Sequence, residues 1–168
     1  MPTRRFVLAA AAALVVATPL RAADDTPEAF VAAIYARVTA GDGTAGGADI
    51  TGREARARSF TRSLVSVWNA ADDKAEKDGD IGPVEFDVLT DSQDPEVRRT
   101  TVDIVAKKPD SAVIRVSLYP RKQARPGERP ASVLDFVLKR EDGAWRIDDV
   151  KRVSRSEPWS LRGLLATP

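Results

Sequence analysis

A β-hairpin pattern occupies residues 134–150, LDFVLKREDGAWRIDDV. Apolar residues alternate with polar ones on both sides of a central Asp142-Gly143 pair, at Leu134, Phe136, Leu138, Trp145 and Ile147. Strict alternation predicts strands with one buried face, and Asp-Gly between two such runs is typical of a tight hairpin turn. We therefore expect two antiparallel strands joined at residues 141–143.

Three upstream segments show the same period of two: residues 84–89, 100–106 and 112–118. In the last two, the predicted inward residues are Val102, Ile104, Ala106, Ala112, Ile114, Val116 and Leu118. Residues 107–111 predict a hairpin connection, and residues 93–95 predict a turn. Residues 120–130 hold three prolines and predict a loop at an edge of the sheet. The pattern predicts an antiparallel meander of four to six strands.

Two helices precede these strands. Asp25 or Thr26 caps the first, with Pro27 in its first turn, and its apolar face is formed by Phe30, Val31, Ile34, Tyr35 and Val38. The second begins within residues 51–56, ends by Gly79, and has a stripe of Phe60, Leu64, Val67, Trp68 and Ala71. A short C-terminal helix opens at residues 157–159. Two helices followed by a meander predict an α+β fold with helices covering one face of the sheet.

The first 22 residues have the pattern of an export signal. Arg4 and Arg5 precede an apolar run at residues 6–17, which is too short to span a bilayer, and Ala22 offers a cleavage site. Residues 3–8, TRRFVL, are also similar to a twin-arginine signal. The sequence therefore predicts cleavage near Ala22 and a single domain, residues 23–168, in a bacterial periplasm.

Composition excludes several kinds of chemistry. The 168 residues contain no His and no Cys, which excludes Ser-His-Asp and Cys-His catalysis, disulfides, and zinc sites built from N and S ligands. Three of the 26 basic residues, Arg4, Arg5 and Arg21, lie in the predicted signal and none of the 25 acidic ones does, so cleavage takes the net charge from +1 to −2. The acidic run at residues 72–85 partly fits a calcium loop, but Lys74 stands at the first ligand position. We expect no metal site and no cofactor.

The order of two helices and a curved sheet resembles the nuclear transport factor 2-like (cystatin-like) α+β cone, and residues 142–150 carry that resemblance. A closer similarity is to the exported bacterial domain of unknown function 3828 family. It rests on Phe60-Thr61-x-x-Leu64, on residues 84–87 followed by residues 92–94, and on the Trp145 segment. The resemblance implies a cone-shaped fold and an exported setting. It implies little chemistry, since that family has no settled activity.

Cone folds commonly hold a pocket between the concave sheet face and the helices, and Asp149 is the candidate for acid–base chemistry there. In an unbroken strand it shares the face of Trp145 and Ile147, where burial raises the pKa of a carboxyl. Tyr35 would add a phenol donor, and the pair loosely resembles the ketosteroid-isomerase arrangement. We favour the alternative, in which a β-bulge at residues 148–149 turns Val150 inward and sends both acids to solvent.

Five further residues are candidates for ligand contact. Trp68, Trp145 and Trp159 would form pocket walls, and Gln93 and Asp94 a polar rim. The simpler interpretation places the tryptophans in the core and gives Asp94 the role of stabilising a turn before Pro95.

Four cations, Arg121, Lys122, Arg125 and Arg129, lie in the proline-rich loop. They suit an anionic surface or an acidic partner, or they protect an exposed sheet edge. Nucleic acid is not an expected partner, because the chain is predicted to be exported and no aromatic residues are interleaved with these arginines.

The sequence thus predicts an exported, non-catalytic domain that binds a small ligand or a partner protein. One alternative is a cone-fold isomerase- or hydrolase-like enzyme that uses Asp149 with Tyr35. Another is an inhibitor or immunity-type interaction protein that uses the basic loop.

Overall fold

A computed structural model describes residues 25–40, 48–82, 84–94, 96–153 and 157–166; the predicted signal, residues 1–22, lies outside them. Five antiparallel strands form one sheet in sequence order: β1 (Arg99–Lys107), β2 (Ser111–Tyr119), β3 (Ser132–Glu141), β4 (Ala144–Arg152) and β5 (Trp159–Ser160). The helices are α1 (Pro27–Val38), α2 (Ala48–Thr51), α3 (Arg56–Ser59), α4 (Arg62–Asp78) and α5 (Leu161–Leu165). The predicted α+β class is confirmed. In the described part of the chain, no helix is long and apolar enough to cross a membrane.

One face of the sheet forms the core. The alternating residues of β2 and β3 and the core-facing residues of β4 are buried, as the pattern predicted: Ala112, Ile114, Val116, Leu118, Leu134, Phe136, Leu138, Trp145 and Ile147. At the β3–β4 turn, Asp142 and Gly143 both have positive φ, 51° and 78°. Two successive positive φ angles are what a two-residue type I′ hairpin turn requires, which explains the Asp-Gly pair.

Helix α1 matches its prediction closely. Thr26 is its N-cap, and the Thr26 side chain accepts a hydrogen bond of 3.1 Å from the backbone N–H of Ala29. Val31, Ile34, Tyr35 and Val38 are buried against the sheet, while Phe30 is half-buried.

The prediction of one continuous second helix is wrong, because three separate helices, α2, α3 and α4, occupy this region. Phe60 interrupts it by pairing in parallel with Ile147 of β4, and the Thr61 N–H donates to the Ile147 carbonyl at 2.9 Å. The Thr61 side chain then caps α4 by accepting from the Leu64 N–H at 3.3 Å. Of the predicted stripe, Leu64 and Trp68 are buried and Ala71 is half-buried, but Val67 is 38% exposed and Phe60 lies outside the helix. A contact distant in sequence decides where the helix starts. Its end is as predicted, at Gly79 with φ 74°.

The strand predicted at residues 84–89 is also wrong, because these residues enter a turn. The Asp87 Oδ1 accepts the Leu89 N–H at 2.8 Å, and Asp87 pairs with Ser92 in an isolated bridge. A side chain that bonds its own backbone two residues on favours a turn over a strand. Val88 and Leu89 are nonetheless buried, which explains the apolar pattern.

Three smaller expectations need correction. Ile104 and Ala106, which were predicted to face inward, are both exposed, Ile104 by 50%. The reason is that β1 is an edge strand with a register shift between these two residues. The loop at residues 120–131 connects β2 and β3, which are interior strands, so it lies at an end of the sheet and not along an edge. The C-terminal helix begins at Leu161, after the short strand β5 and the N-cap Ser160.

Candidate functional site

A β-bulge interrupts β4 at its two aspartates. Val137 pairs with Asp149 and Leu138 with Ile147, so Asp148 is the extra residue. Val150 occupies the core-facing position, as the favoured interpretation predicted. The expectation that both carboxylates reach solvent is wrong, since Asp148 is 6% and Asp149 is 5% exposed.

Asp148 lies in a cage of donors. Its Oδ1 accepts from Thr61 Oγ1 at 3.0 Å and from Arg162 Nη2 at 2.6 Å, and its Oδ2 is 2.9 Å from Lys139 Nζ. Burial raises the pKa of the Asp148 carboxyl, but the hydrogen bonds from Lys139, Arg162 and Thr61 more than offset it and hold the pKa below its ordinary value. Asp148 is therefore an anion at neutral pH, and it ties β4 to α4 and α5.

Asp149 has a comparable structural role. Its Oδ2 accepts from Ser160 Oγ at 2.7 Å, and its Oδ1 accepts from the backbone N–H of Arg162 at 3.1 Å. The carboxylate thus holds the first turn of α5 against the sheet.

Tyr35 lies on the other side of the sheet from Asp149. Its hydroxyl donates to the Leu89 carbonyl at 2.7 Å, and its ring meets Phe136 edge-on. Phe136 and Val150 share the core face, and Asp149 alternates to the opposite face. Burial, with the charges of Asp87 and Asp91, raises the pKa of Tyr35 well above its ordinary value. The two residues of the hypothetical catalytic pair are separated by the sheet, and each is held by other partners.

A cavity of about 440 Å³ opens beside Trp68. We call it the Trp68 pocket. It is lined by α2, α3, α4 and the segment after α4, through Thr51, Arg56, Trp68, Asp72, Ile81, Gly82, Val84, Phe86, Asp87 and Val88. No strand of the sheet contributes, so it is not the pocket between sheet and helices that the cone resemblance implies. That region is filled by fully buried side chains such as Tyr35, Phe60 and Phe136.

Arg56 forms the polar part of the pocket wall. Its guanidinium lies over the Trp68 ring, 4.1 Å from the centroid. Nε donates to the Thr51 carbonyl at 2.7 Å, and Nη1 donates to Asn69 Oδ1 at 2.9 Å and to Asp72 Oδ2 at 2.6 Å. Among the described residues, Nη2 has no hydrogen-bond partner. A cation held this firmly presents one donor edge to a ligand.

Aromatic and aliphatic side chains complete the pocket. Phe60, which does not itself line the pocket, packs edge-on against the Trp68 ring and holds it in place. Phe86 and Val84 are half-buried, and Ile81, 80% exposed, stands at the mouth. A fixed aromatic wall with one convergent polar group is the usual composition of a small-molecule site.

The other predicted ligand residues lie elsewhere. Trp145 is buried, donates from its indole N–H to the Asp25 carbonyl at 3.2 Å and carries Arg140 over its ring. Gln93 and Asp94 are exposed on a turn, where the Asp94 N–H donates to Ser92 Oγ at 3.0 Å. Of the five candidates, only Trp68 lines the pocket. Trp68 and Trp145 also belong to the buried core and Trp159 packs against it, as the simpler interpretation predicted.

Sequence reasoning missed Arg56 and Phe86. Arg56 stands among Arg53 and Arg58, and no local pattern distinguishes the buried one from its neighbours. Phe86 was assigned to a strand face. Both reach the pocket only because α3 breaks away from α4 and residues 84–89 turn.

A second cavity, about 690 Å³, lies between α4 and α5 and is lined mainly by small and aliphatic side chains, including Val67, Ala70, Leu164 and Leu165. Lys74, Asp78 and Asp80 also line it, and among the described residues none of these three side chains has the set of three hydrogen bonds that fixes Arg56. We call it the α4–α5 groove.

Comparisons of the chain with protein-family models, with characterised proteins and with solved structures find no match.

Proposed function

We propose that the chain is an exported, non-catalytic binding domain and that the Trp68 pocket is its ligand site. The observation that carries the proposal is the Arg56 guanidinium, fixed over Trp68 by Thr51, Asn69 and Asp72 and left with one open donor edge. The apolar leader supports export. The order of helices and meander supports the finer assignment to the nuclear transport factor 2-like cone and the domain of unknown function 3828 family.

The pocket favours binding over catalysis. Its two carboxylates already have structural partners, since Asp72 pairs with Arg56 and Asp87 accepts the Leu89 N–H. The matching ligand is a small molecule with a flat apolar body for Trp68 and Phe86 and one anionic or hydrogen-bond-accepting group for Arg56.

Anilinonaphthalene sulfonate has this chemistry, because it joins a flat aromatic body to a sulfonate. We expect its fluorescence to rise on addition of the folded protein. Val84→Trp places a large side chain in the pocket and should lower the affinity for the dye at least about tenfold, which corresponds to about 1.4 kcal/mol.

The matched control is Ala70→Trp, which adds the same ring to the α4–α5 groove and should leave dye affinity unchanged. Circular dichroism would confirm that both variants are folded. Equal binding by the wild type and Val84→Trp, or loss of binding only in Ala70→Trp, would contradict the proposal.

A further inference from the structure

The loop between β2 and β3, residues 120–131, is held by backbone hydrogen bonds at its base and at its tip. At its base, the Ala131 N–H donates to the Leu118 carbonyl at 2.8 Å. At its tip, the Glu128 N–H donates to the Arg125 carbonyl at 3.1 Å across Pro126 and Gly127, whose φ is 71°. Proline followed by a glycine with positive φ is the arrangement of a type II turn. We call this segment the basic loop.

The acidic residue of the basic loop, Glu128, faces the interior of the fold. The Glu128 side chain is largely buried, and its Oε2 accepts from Arg99 Nη2 at 2.7 Å. Arg99 in turn stacks on Tyr119, with 3.7 Å from its guanidinium carbon to the ring centroid. The negative charge of Glu128 is therefore neutralised within the fold and does not offset the cations at the surface.

The cations point outward. Arg121, Arg125 and Arg129 are exposed, and within the described part of the chain no carboxylate pairs with their guanidinium groups. Arg121 and Arg125 line both of two adjoining hollows, of about 490 and 440 Å³. Arg98 joins them in one hollow, where Glu96 is the opposing charge.

We propose that the basic loop docks the domain on a bilayer surface that carries anionic headgroups. The two hollows are lined by charged and polar side chains, proline, alanine and glycine, without an aromatic or large aliphatic side chain. A protein partner usually needs such an apolar anchor at the centre of its interface, whereas attraction to a charged bilayer does not. The net charge is +1 for the whole chain and −2 after the predicted cleavage, so attraction to an anionic surface has to come from a local concentration of cations such as this loop.

Vesicle sedimentation tests the proposal. The full chain should bind vesicles of phosphatidylcholine mixed with phosphatidylglycerol, and binding should weaken as salt is added. Pure phosphatidylcholine vesicles report any contribution of the apolar N-terminal segment. The triple variant Arg121→Gln, Arg125→Gln, Arg129→Gln should lose about a hundredfold in partition to the mixed vesicles, from roughly fivefold for each cation removed.

The matched control removes three cations elsewhere: Arg58→Gln, Lys77→Gln, Lys108→Gln. All three are exposed and lie outside the basic loop, so the net charge changes equally. We expect a change below about threefold, since only residues near the surface contribute strongly. Equal losses in the two triple variants would overturn the proposal, as would equal binding to both kinds of vesicle. Binding to soluble polyglutamate but not to mixed vesicles would overturn it in favour of an acidic polypeptide.

Discussion

The cage of donors around Asp148 and the Trp68 pocket each contain a buried charged side chain. They differ in how completely its hydrogen-bonding atoms are paired. Both oxygens of Asp148 have donors from Thr61, Arg162 and Lys139. Arg56 has three acceptors on two of its nitrogens, and its third nitrogen has none among the described residues, in a side chain that lines the Trp68 pocket. Buried charge therefore has a structural role around Asp148, whereas at Arg56 it also leaves a hydrogen-bond donor for the ligand that we propose. The unused donor, and not the burial, distinguishes the two regions.

Removing the Asp148 carboxylate gives the largest effect. Asp148→Ala leaves Arg162 and Lys139 without the anion that they share. We expect a loss of about 2 kcal/mol in the free energy of unfolding. This is less than the loss for a fully buried ion pair, because both cations are partly exposed. Urea denaturation would measure it. Dye binding at the Trp68 pocket should not change. A loss of dye affinity in the folded variant would show that the Asp148 region and the Trp68 pocket are not independent.

The effect of the same variant on the free energy of unfolding should depend on pH in the acidic range. The folded state holds the pKa of Asp148 below its ordinary value of 3.8, so the stabilisation is present above that pH and is lost as pH falls through the folded-state pKa. The difference in unfolding free energy between wild type and Asp148→Ala should be constant above about pH 5 and shrink below 3.8. A difference that grows in acid would show that Asp148 is not held as an anion.

Arg56→Lys affects both properties of the pocket. A lysine keeps the charge but cannot reach Thr51, Asn69 and Asp72 together, so we expect a loss of about 1 kcal/mol in stability. Dye affinity should fall as well, because the guanidinium no longer presents a fixed donor. Arg53→Lys is the control, since Arg53 makes an exposed pair with Asp73. Unchanged dye affinity in folded Arg56→Lys would remove Arg56 from the site.

Asp149→Asn gives the smallest effect. The amide oxygen can still accept the Arg162 N–H, and the amide group can still bond Ser160, so stability should change by less than about 1 kcal/mol. Thermal denaturation would measure this. A loss of several kcal/mol would show that the charge of Asp149, and not its hydrogen bonds, holds α5.

Periodic patterns predicted the elements whose partners are close in sequence. Helix α1, the β1–β2 and β3–β4 hairpins and the buried residues of β2 and β3 follow from local spacing and turn chemistry. Phe60 has a helical neighbourhood, and only its bridge to Ile147 shows that the helix breaks there. Asp87 likewise makes a turn from an alternating stretch.

The candidate site was less accessible to sequence reasoning, for a related reason. Trp68 was identified because tryptophan is rare and large. Arg56 acquires its role from contacts with Thr51, Asn69 and Asp72, which depend on how α2, α3 and α4 meet. The bulge at Asp148 was predicted from Val150, but the donors that bury both acids come from Lys139, α4 and α5.

The indole N–H resonances of the three tryptophans provide the most direct test of the Trp68 pocket. Trp68 lines the cavity, whereas the indoles of Trp145 and Trp159 donate to Asp25 and Asp91 and do not line it. Trp159 nevertheless packs on Phe86, a lining residue, with 5.1 Å between the ring centroids, so Trp145 is the reference signal. In a titration with anilinonaphthalene sulfonate followed by ¹⁵N-resolved NMR, we predict a saturable shift of the Trp68 signal while the Trp145 signal stays in place. A shift confined to Trp145, or none at Trp68 under saturating dye, would contradict the account.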